Sequence, residues 1–244
     1  MNYKKDIKDI FLIKDKVCII AGGSGGIGSA LVSLISHNGG KVCVLDKEIK
    51  KNNNTKNINF YKCDLSNKKT VSEVVKKIIK KYKKIDCLVN ASGVSNENSF
   101  IDNINSNLIA VYNVTKIVIE KMKKKGGSVV NITSLNSELG FSKNPGYVSS
   151  KGGLKMLTKS LCIDYAKYNI RINNIGPGYI KTRMTKKKFL NIRQRKMRLD
   201  RIPLRRYGEP HELFGAVIFL LTDASSYVTG QDFYVDGGFL AKGI

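Results

Sequence analysis

Between residues 21 and 28 the chain reads Ala21-Gly22-Gly23-Ser24-Gly25-Gly26-Ile27-Gly28. An apolar run, Lys16–Ala21, precedes this segment and has the composition of a buried strand. A helical pattern follows it over Gly26–Asn38, with Ile27, Leu31, Leu34 and Ile35 on one face. Glycines at such a junction permit a tight turn and let backbone N–H groups approach a phosphate. The helix N-terminus then faces the negative charge. Glycine-rich turns between a strand and a helix are common, so the segment alone fixes a strand–loop–helix start and no more.

The same alternation runs on. Lys41–Asp46, Ile58–Lys62, Ile85–Asn90, Ser128–Thr133, Ile170–Ile175 and Asp232–Asp236 read as further strands. Helical spacing covers Val71–Lys81, a segment ending near Lys125, Tyr147–Tyr168 and Glu209–Thr222. Strand–helix alternation predicts an α/β fold: one Rossmann-type, doubly wound parallel sheet of about seven strands, flanked by helices in a single domain. Residues 1–15 form an N-terminal extension and 16–244 the domain. The Lys/Asn-rich stretch Lys50–Asn59 is short for a parallel crossover, which predicts a stunted or missing helix there.

Bulk composition excludes several classes. The five cysteines form no CxxC pair, and four fall in apolar runs that read as strands, which argues for a reducing compartment and against a disulfide framework. Met1–Lys16 lacks the apolar run of a signal peptide, and no stretch approaches a membrane span. The expectation is a soluble, cytoplasmic protein. The net charge of +24 admits an anionic partner, but heavy use of Lys, Asn and Ile throughout gives a plainer compositional reading. No RNA-binding signature or basic–aromatic alternation is present, so nucleic acid is not the expected partner. His37 and His211 have no cysteine or carboxylate at ligand spacing, and no metal is expected.

Three features point to chemistry. Asp46 ends the second strand 18 positions after Gly28, near the roughly 20 expected for an acid that binds a ribose 2′-hydroxyl. Its charge would repel a 2′-phosphate, and Gly25 stands where a basic residue could meet one. NAD is therefore expected over NADP, with Lys47 as a counter-indication. Tyr147 and Lys151 share a helix face at i and i+4, with Ser134 thirteen positions before the tyrosine. An ammonium beside a phenol favours the phenolate and lowers the phenol pKa. Tyr147 could then take a proton from an alcohol or return it to a carbonyl, with Ser134 bonded to the same oxygen. Each residue alone is better read as packing or surface. Together with the loop and Asp46 they imply hydride chemistry at a carbon bearing oxygen.

In this order and spacing the residues resemble the short-chain dehydrogenase/reductase family from Lys16 to about Gly238. The family's glycine loop is the segment above. Its acidic adenine contact appears in Cys63-Asp64-Leu65, and its NNAG strand end as Asn90-Ala91-Ser92-Gly93. Asn107 matches the helix asparagine of the catalytic tetrad, Ser134 the active-site serine, and Tyr147 to Lys151 the YxxxK motif. The PG motif is Gly176-Pro177-Gly178-Tyr179-Ile180-Lys181-Thr182.

The resemblance implies catalysis by Ser134, Tyr147, Lys151 and Asn107, the last through a water relay behind Lys151. It implies cofactor contacts from Gly22, Ser24, Gly25, Gly26, Ile27, Gly28, Asp46, Asp64, Leu65, Asn90, Ala91, Gly93, Tyr147, Lys151, Pro177, Gly178, Ile180 and Thr182. It also implies a substrate lid near 181–208 and a homotetramer or homodimer assembled through helices near Asp102–Lys124 and Tyr147–Tyr168. Three departures stand out. Ala21 replaces the loop threonine, Ala91 and Ser92 alter NNAG while its glycine survives, and Asn107 follows Gly93 by only fourteen positions, several fewer than usual, which bears on the pocket rim and the placement of Asn107.

The segment from Lys181 to Arg206 holds twelve basic residues against one acid, Asp200. A solvated helix face accounts for such a run; an anionic substrate gripped by arginine is the sharper reading. The stretch from Arg201 to Gly208 and on through the tail is similar to gluconate 5-dehydrogenase-type sugar and polyol members and to 3-oxoacyl-carrier-protein reductases. Gly25 and Asp46 favour the former: NAD-linked interconversion of a secondary alcohol and a ketone on a sugar, polyol or sugar acid. A catalytically idle NAD-binding regulator on the same fold is the remaining alternative.

Overall fold

The computed structural model describes residues 6–49, 55–185 and 190–242. A short helix, α1 (Ile7–Ile10), leads to β1 (Val17–Ala21), whose residues are all buried. Then come α2 (Gly26–His37), β2 (Lys41–Asp46), β3 (Ile58–Lys62), α3 (Lys68–Tyr82) and β4 (Cys87–Asn90). The helical stretch from Phe100 to Met122 comprises α4 (Phe100–Ile104), a π-helical turn (Asn105–Ile109) and α5 (Ala110–Met122). The chain continues through β5 (Gly127–Ile132), α6 (Pro145–Tyr165), β6 (Ile170–Pro177), α7 (Ile192–Arg201), α8 (Phe214–Leu221) and β7 (Asp232–Val235).

The seven strands form one parallel sheet in the order β3-β2-β1-β4-β5-β6-β7. Side chains alternate across it because strand periodicity is two. Val17, Ile19 and Ala21 face a layer of α3, α5 and α6 through Val71, Val75, Val114, Val118 and Leu161. Cys18 and Ile20 face α2 and α8 through Leu31, Ile35, Val217 and Leu220. The chain leaves β1 toward β2 on one side and reaches β4 on the other, so a crevice opens beyond the carboxyl ends of β1 and β4. Gly22, Ala91, Thr133 and Gly178 each follow directly on a strand's carboxyl end or one residue from it.

Most expected elements are present within a few residues. β6 runs two residues past the expected end, into Pro177, and Cys63 lies one residue beyond β3 instead of within a strand. Between β2 and β3, residues 47–49 and 55–57 form no helix, while 50–54 of the expected stunted crossover lie outside the described residues. The unanticipated feature is the π turn, which inserts an extra residue into the helical ladder where Asn107 lies.

Candidate active site

The glycine loop is shaped by contacts that a side chain would block. Gly22 has φ +80°, and a Cβ there would lie 2.5 Å from the Ser92 backbone. A Cβ on Gly28 would overlap the Gly22 carbonyl, and one on Gly26 would meet Thr182 Cβ at 2.7 Å. Gly25, the N-cap of α2, has open space, with Gly22 O the nearest neighbour at 3.5 Å. The loop thus presents a bare helix N-terminus, the arrangement a pyrophosphate requires. The Ser24 N–H donates to Asp46 Oδ2 at 2.9 Å, and Glu48 N–H to Asp46 Oδ1 at 3.2 Å. Lys47, beside that acid, pairs with Asp64 at 3.4 Å. Hydrogen bonds from Ser66, aided by Lys47, hold the Asp64 carboxyl below its usual range. Leu65 is buried in the core.

Ser134, Tyr147 and Lys151 line one cleft of about 590 Å³ with Ile27, Ala91, Gly93, Pro177, Gly178, Ile180 and Thr182. Local sequence places them. Ser134 caps a 3₁₀ turn just beyond β5, and Pro145 opens α6 with Asn144 accepting from the Tyr147 N–H at 3.2 Å. Lys151 is 4% exposed, and its Nζ donates to the Ile132 carbonyl at 2.8 Å. Burial pushes that ammonium down to about 8. Tyr147 is half-buried; desolvation raises its phenol above the ordinary value, and a hydrogen bond with Ser134 opposes this only partly. The expected lowering by Lys151 is therefore not the dominant effect. Its Nζ lies 5.8 Å from the Tyr147 ring centre and is turned to a backbone carbonyl.

Asn107 is fully buried in the π turn. Its Oδ1 accepts from the Val94 N–H at 2.8 Å, while its Nδ2 donates to Val94 O at 2.9 Å and Ser150 Oγ at 3.0 Å. A Cβ on Gly93 would stand 3.2 Å from Asn107 Oδ1 and 3.4 Å from Lys151 Nζ, so both side chains border that glycine. The short approach to Asn107 is braced by Asn103, which accepts from Asn96 N–H at 3.1 Å and donates to the Asn96 and Ser99 carbonyls at 2.6 Å each.

A second cavity of about 1020 Å³ adjoins the cleft and shares Ser134, Pro177 and Gly178 with it. Leu135, Asn136, Leu139, Gly140, Phe141, Tyr179, Gln194, Met197, Arg198, Arg201 and Phe239 complete its wall. The Arg198 guanidinium lies 5.3 Å from the Tyr179 ring centre, and that of Arg201 lies 5.2 Å from Phe239. Of the twelve basic residues in the segment, only these two line this cavity; Lys186–Lys188 lie outside the described residues.

The Asn90 side chain points into the sheet, donating to Thr115 Oγ1 at 2.9 Å and Asn131 Oδ1 at 2.7 Å. Strand alternation turns it away from the cleft that Ala91, Ser92 and Gly93 line. Met184 and Thr185 also line the cleft and carried no motif signal. Among the described residues no cluster of His, Cys, Asp or Glu could hold a metal, and no helix is long and apolar enough to cross a membrane.

A dinucleotide-shaped loop opening onto a buried lysine, a tyrosine and a serine suits hydride exchange between a nicotinamide and a carbon bearing oxygen. Fold and cleft together define a nicotinamide-dependent oxidoreductase. Residues 21–240 match the family model described as enoyl-(acyl carrier protein) reductase, and the chain belongs to this branch of the short-chain dehydrogenase/reductase family. It is 37% identical to the 3-oxoacyl-[acyl-carrier-protein] reductase of Thermotoga maritima, over 93% of this chain and 99% of that protein. It is 33% identical to the 5-keto-D-gluconate 5-reductase of Escherichia coli, over 96% of this chain and 99% of that protein. A solved gluconate 5-dehydrogenase from Burkholderia cenocepacia, in complex with NADP and tartrate, matches with a TM-score of 0.91 at 28% identity, covering 96% of this chain and 99% of that chain. The chain is a short-chain alcohol dehydrogenase/ketone reductase acting on CH–OH groups with a nicotinamide cofactor.

Proposed function

We propose that the enzyme interconverts a secondary alcohol and a ketone on a sugar acid, with NAD as its cofactor and Ser134, Tyr147 and Lys151 as its acting groups. One observation carries this reading: the cleft holding those three side chains runs into a cavity walled by Arg198 and Arg201. The reacting carbon would lie by Ser134 and Tyr147 and the carboxylate by the arginines, whose planar fork matches carboxylate geometry.

The loop from Gly22 to Gly28 and Asp46 would hold the dinucleotide, with Ile180 and Thr182 at its nicotinamide end. The nicotinamide supplies the hydride acceptor when bound. Tyr147 takes the alcohol proton in oxidation and returns it in reduction. Ser134 donates to the substrate oxygen and steadies its developing charge. Lys151 supplies positive charge behind Tyr147, and Asn107 fixes the Gly93–Val94 turn beside it. Asp46 supports NAD: its carboxylate is anchored to the loop, and the charge of Lys47 is engaged by Asp64.

The segment 181–208 acts as the substrate lid in this reading. Assembly into a homodimer or homotetramer uses the helical layer that leaves Ile109, Tyr112, Met156 and Ile163 exposed. A second reading, 3-oxoacyl-carrier-protein reduction, is favoured by the Thermotoga maritima relative. Following NAD or NADP reduction across D-gluconate and other sugar acids, neutral polyols and hydroxyacyl thioesters separates the two. Fastest turnover of a sugar acid with NAD is expected. A thioester or neutral polyol outrunning every sugar acid would overturn the substrate assignment.

A further inference from the structure

We propose that Glu138, Tyr234 and Lys155 form a positioning clamp that fixes the Ser134 loop against α6, and so sets how Ser134 faces Tyr147. None of the three lines the cleft or the outer cavity. They meet behind the loop that does. The Ser134 carbonyl accepts from Ser137 Oγ at 2.6 Å, and Ser137 Oγ lies 3.1 Å from the Tyr234 hydroxyl. Tyr234 donates to Glu138 Oε1 at 2.7 Å, and the Lys155 ammonium binds the same carboxylate oxygen. Lys155 stands one helical turn after Lys151 on α6. The contact path therefore runs from the serine's own backbone, across the close approach of the Ser137 and Tyr234 hydroxyls, whose protons are shared between this contact and their other acceptors, through β7, to the helix that carries Tyr147.

Two further observations support a built arrangement. The Tyr234 ring lies directly against Gly176, where a Cβ would overlap it, so the ring reaches the loop only because β6 has glycine there. Lys155 also lies 3.7 Å from Asp232 Oδ2, whose other oxygen accepts from Asn174 Nδ2 at 2.7 Å. Asn174 Oδ1 accepts from Thr158 Oγ1 at 2.6 Å, and Thr158 in turn accepts from Asn131 Nδ2 at 2.8 Å. The clamp is thereby tied into β5 and β6, the two strands flanking the site. Lys155 foremost, then Tyr234, holds the Glu138 carboxyl below its ordinary range, so the charged form completes the network.

The inference rests on the role proposed above for Ser134, and a double-mutant cycle separates the two. The substrate is whichever turns over fastest among D-gluconate, glycerol and a hydroxyacyl thioester. Tyr234→Phe and Glu138→Ala should each lower kcat about tenfold, because small misplacements of acting groups are costly. Cofactor KM should stay within about twofold, and Glu138→Gln, which still accepts from Tyr234, should restore most of the turnover lost in Glu138→Ala. In a Ser134→Ala background, Tyr234→Phe should cost less than about twofold, since its effect is already lost. Costs that multiply in the double variant would overturn the clamp and leave the Ser134 assignment standing. Full turnover in Ser134→Ala alone would remove the Ser134 role, and the clamp's action with it.

Discussion

The Ser24 N–H donates to Asp46 Oδ2 at 2.9 Å, so the acid at the end of β2 is bonded into the glycine loop. In the proposed reading this carboxylate accepts from a ribose hydroxyl and repels a 2′-phosphate. Asp46→Ser should raise the KM for NAD about tenfold, since a hydrogen bond to a charged group is worth roughly 1.5–3 kcal/mol. It should lower the KM for NADP by a comparable factor. Steady-state KM values for both cofactors test this; an unchanged ratio would remove Asp46 from the cofactor site.

Tyr147 carries the second prediction. Its burial raises the phenol, so the hydroxyl is protonated at neutral pH and ready to donate to a ketone. Oxidation draws on the opposite form and should gain with rising pH. Tyr147→Phe should cut kcat by roughly 10²–10⁴-fold in both directions, the usual worth of general acid–base catalysis. Cofactor affinity, followed by fluorescence titration, should stay within about twofold, because the lost hydroxyl serves the substrate.

Arg201 tests the outer cavity. Its guanidinium borders Phe239 in the second cavity, whose lining includes Ser134 but not Tyr147. Arg201→Ala should raise the KM for a sugar acid about tenfold with kcat little changed, the mark of binding energy used uniformly. The KM for a neutral polyol should not move. Equal losses on both substrates would turn the arginine into a packing residue.

What the sequence disclosed follows from where each signal lies. β1 and β2 are legible because buried parallel strands are continuous apolar runs, and the loop is legible because only glycine suits Gly22 and Gly28. Ser134, Tyr147 and Lys151 are brought together as their spacing implies. The π turn was hidden, since nothing in Asn105–Ile109 marks an extra residue in the helix, and the bonds of Asn107 to Val94 and Ser150 join segments distant in sequence. The direction of the Asn90 side chain was not legible, because a motif match does not state which face of a strand a side chain takes. Glu138, Lys155 and Tyr234 lie on three elements far apart in sequence, and no local pattern joins them.

Lys151 makes stability depend on pH in a calculable direction. It is 4% exposed, and burial lowers its ammonium from 10.5 to about 8. Below that lower value the folded chain carries a buried charge and bears its full cost. Between about 8 and 10.5 the unfolded chain binds more protons than the folded one, so stability rises with pH across this window. Above it both states are neutral and the cost is gone. At 1.36 kcal/mol per unit the penalty at neutral pH is roughly 3 kcal/mol. Lys151→Met keeps the length and removes the charge. Its urea midpoint should therefore gain on that of the parent as the pH is lowered to 7, and the difference should shrink through pH 9 and stop changing near pH 10.5, where only the lost bond to Ile132 remains. Groups that titrate alike in both proteins cancel in this difference. A gap constant with pH would mean that packing, and not the buried ammonium, sets the stability at this position.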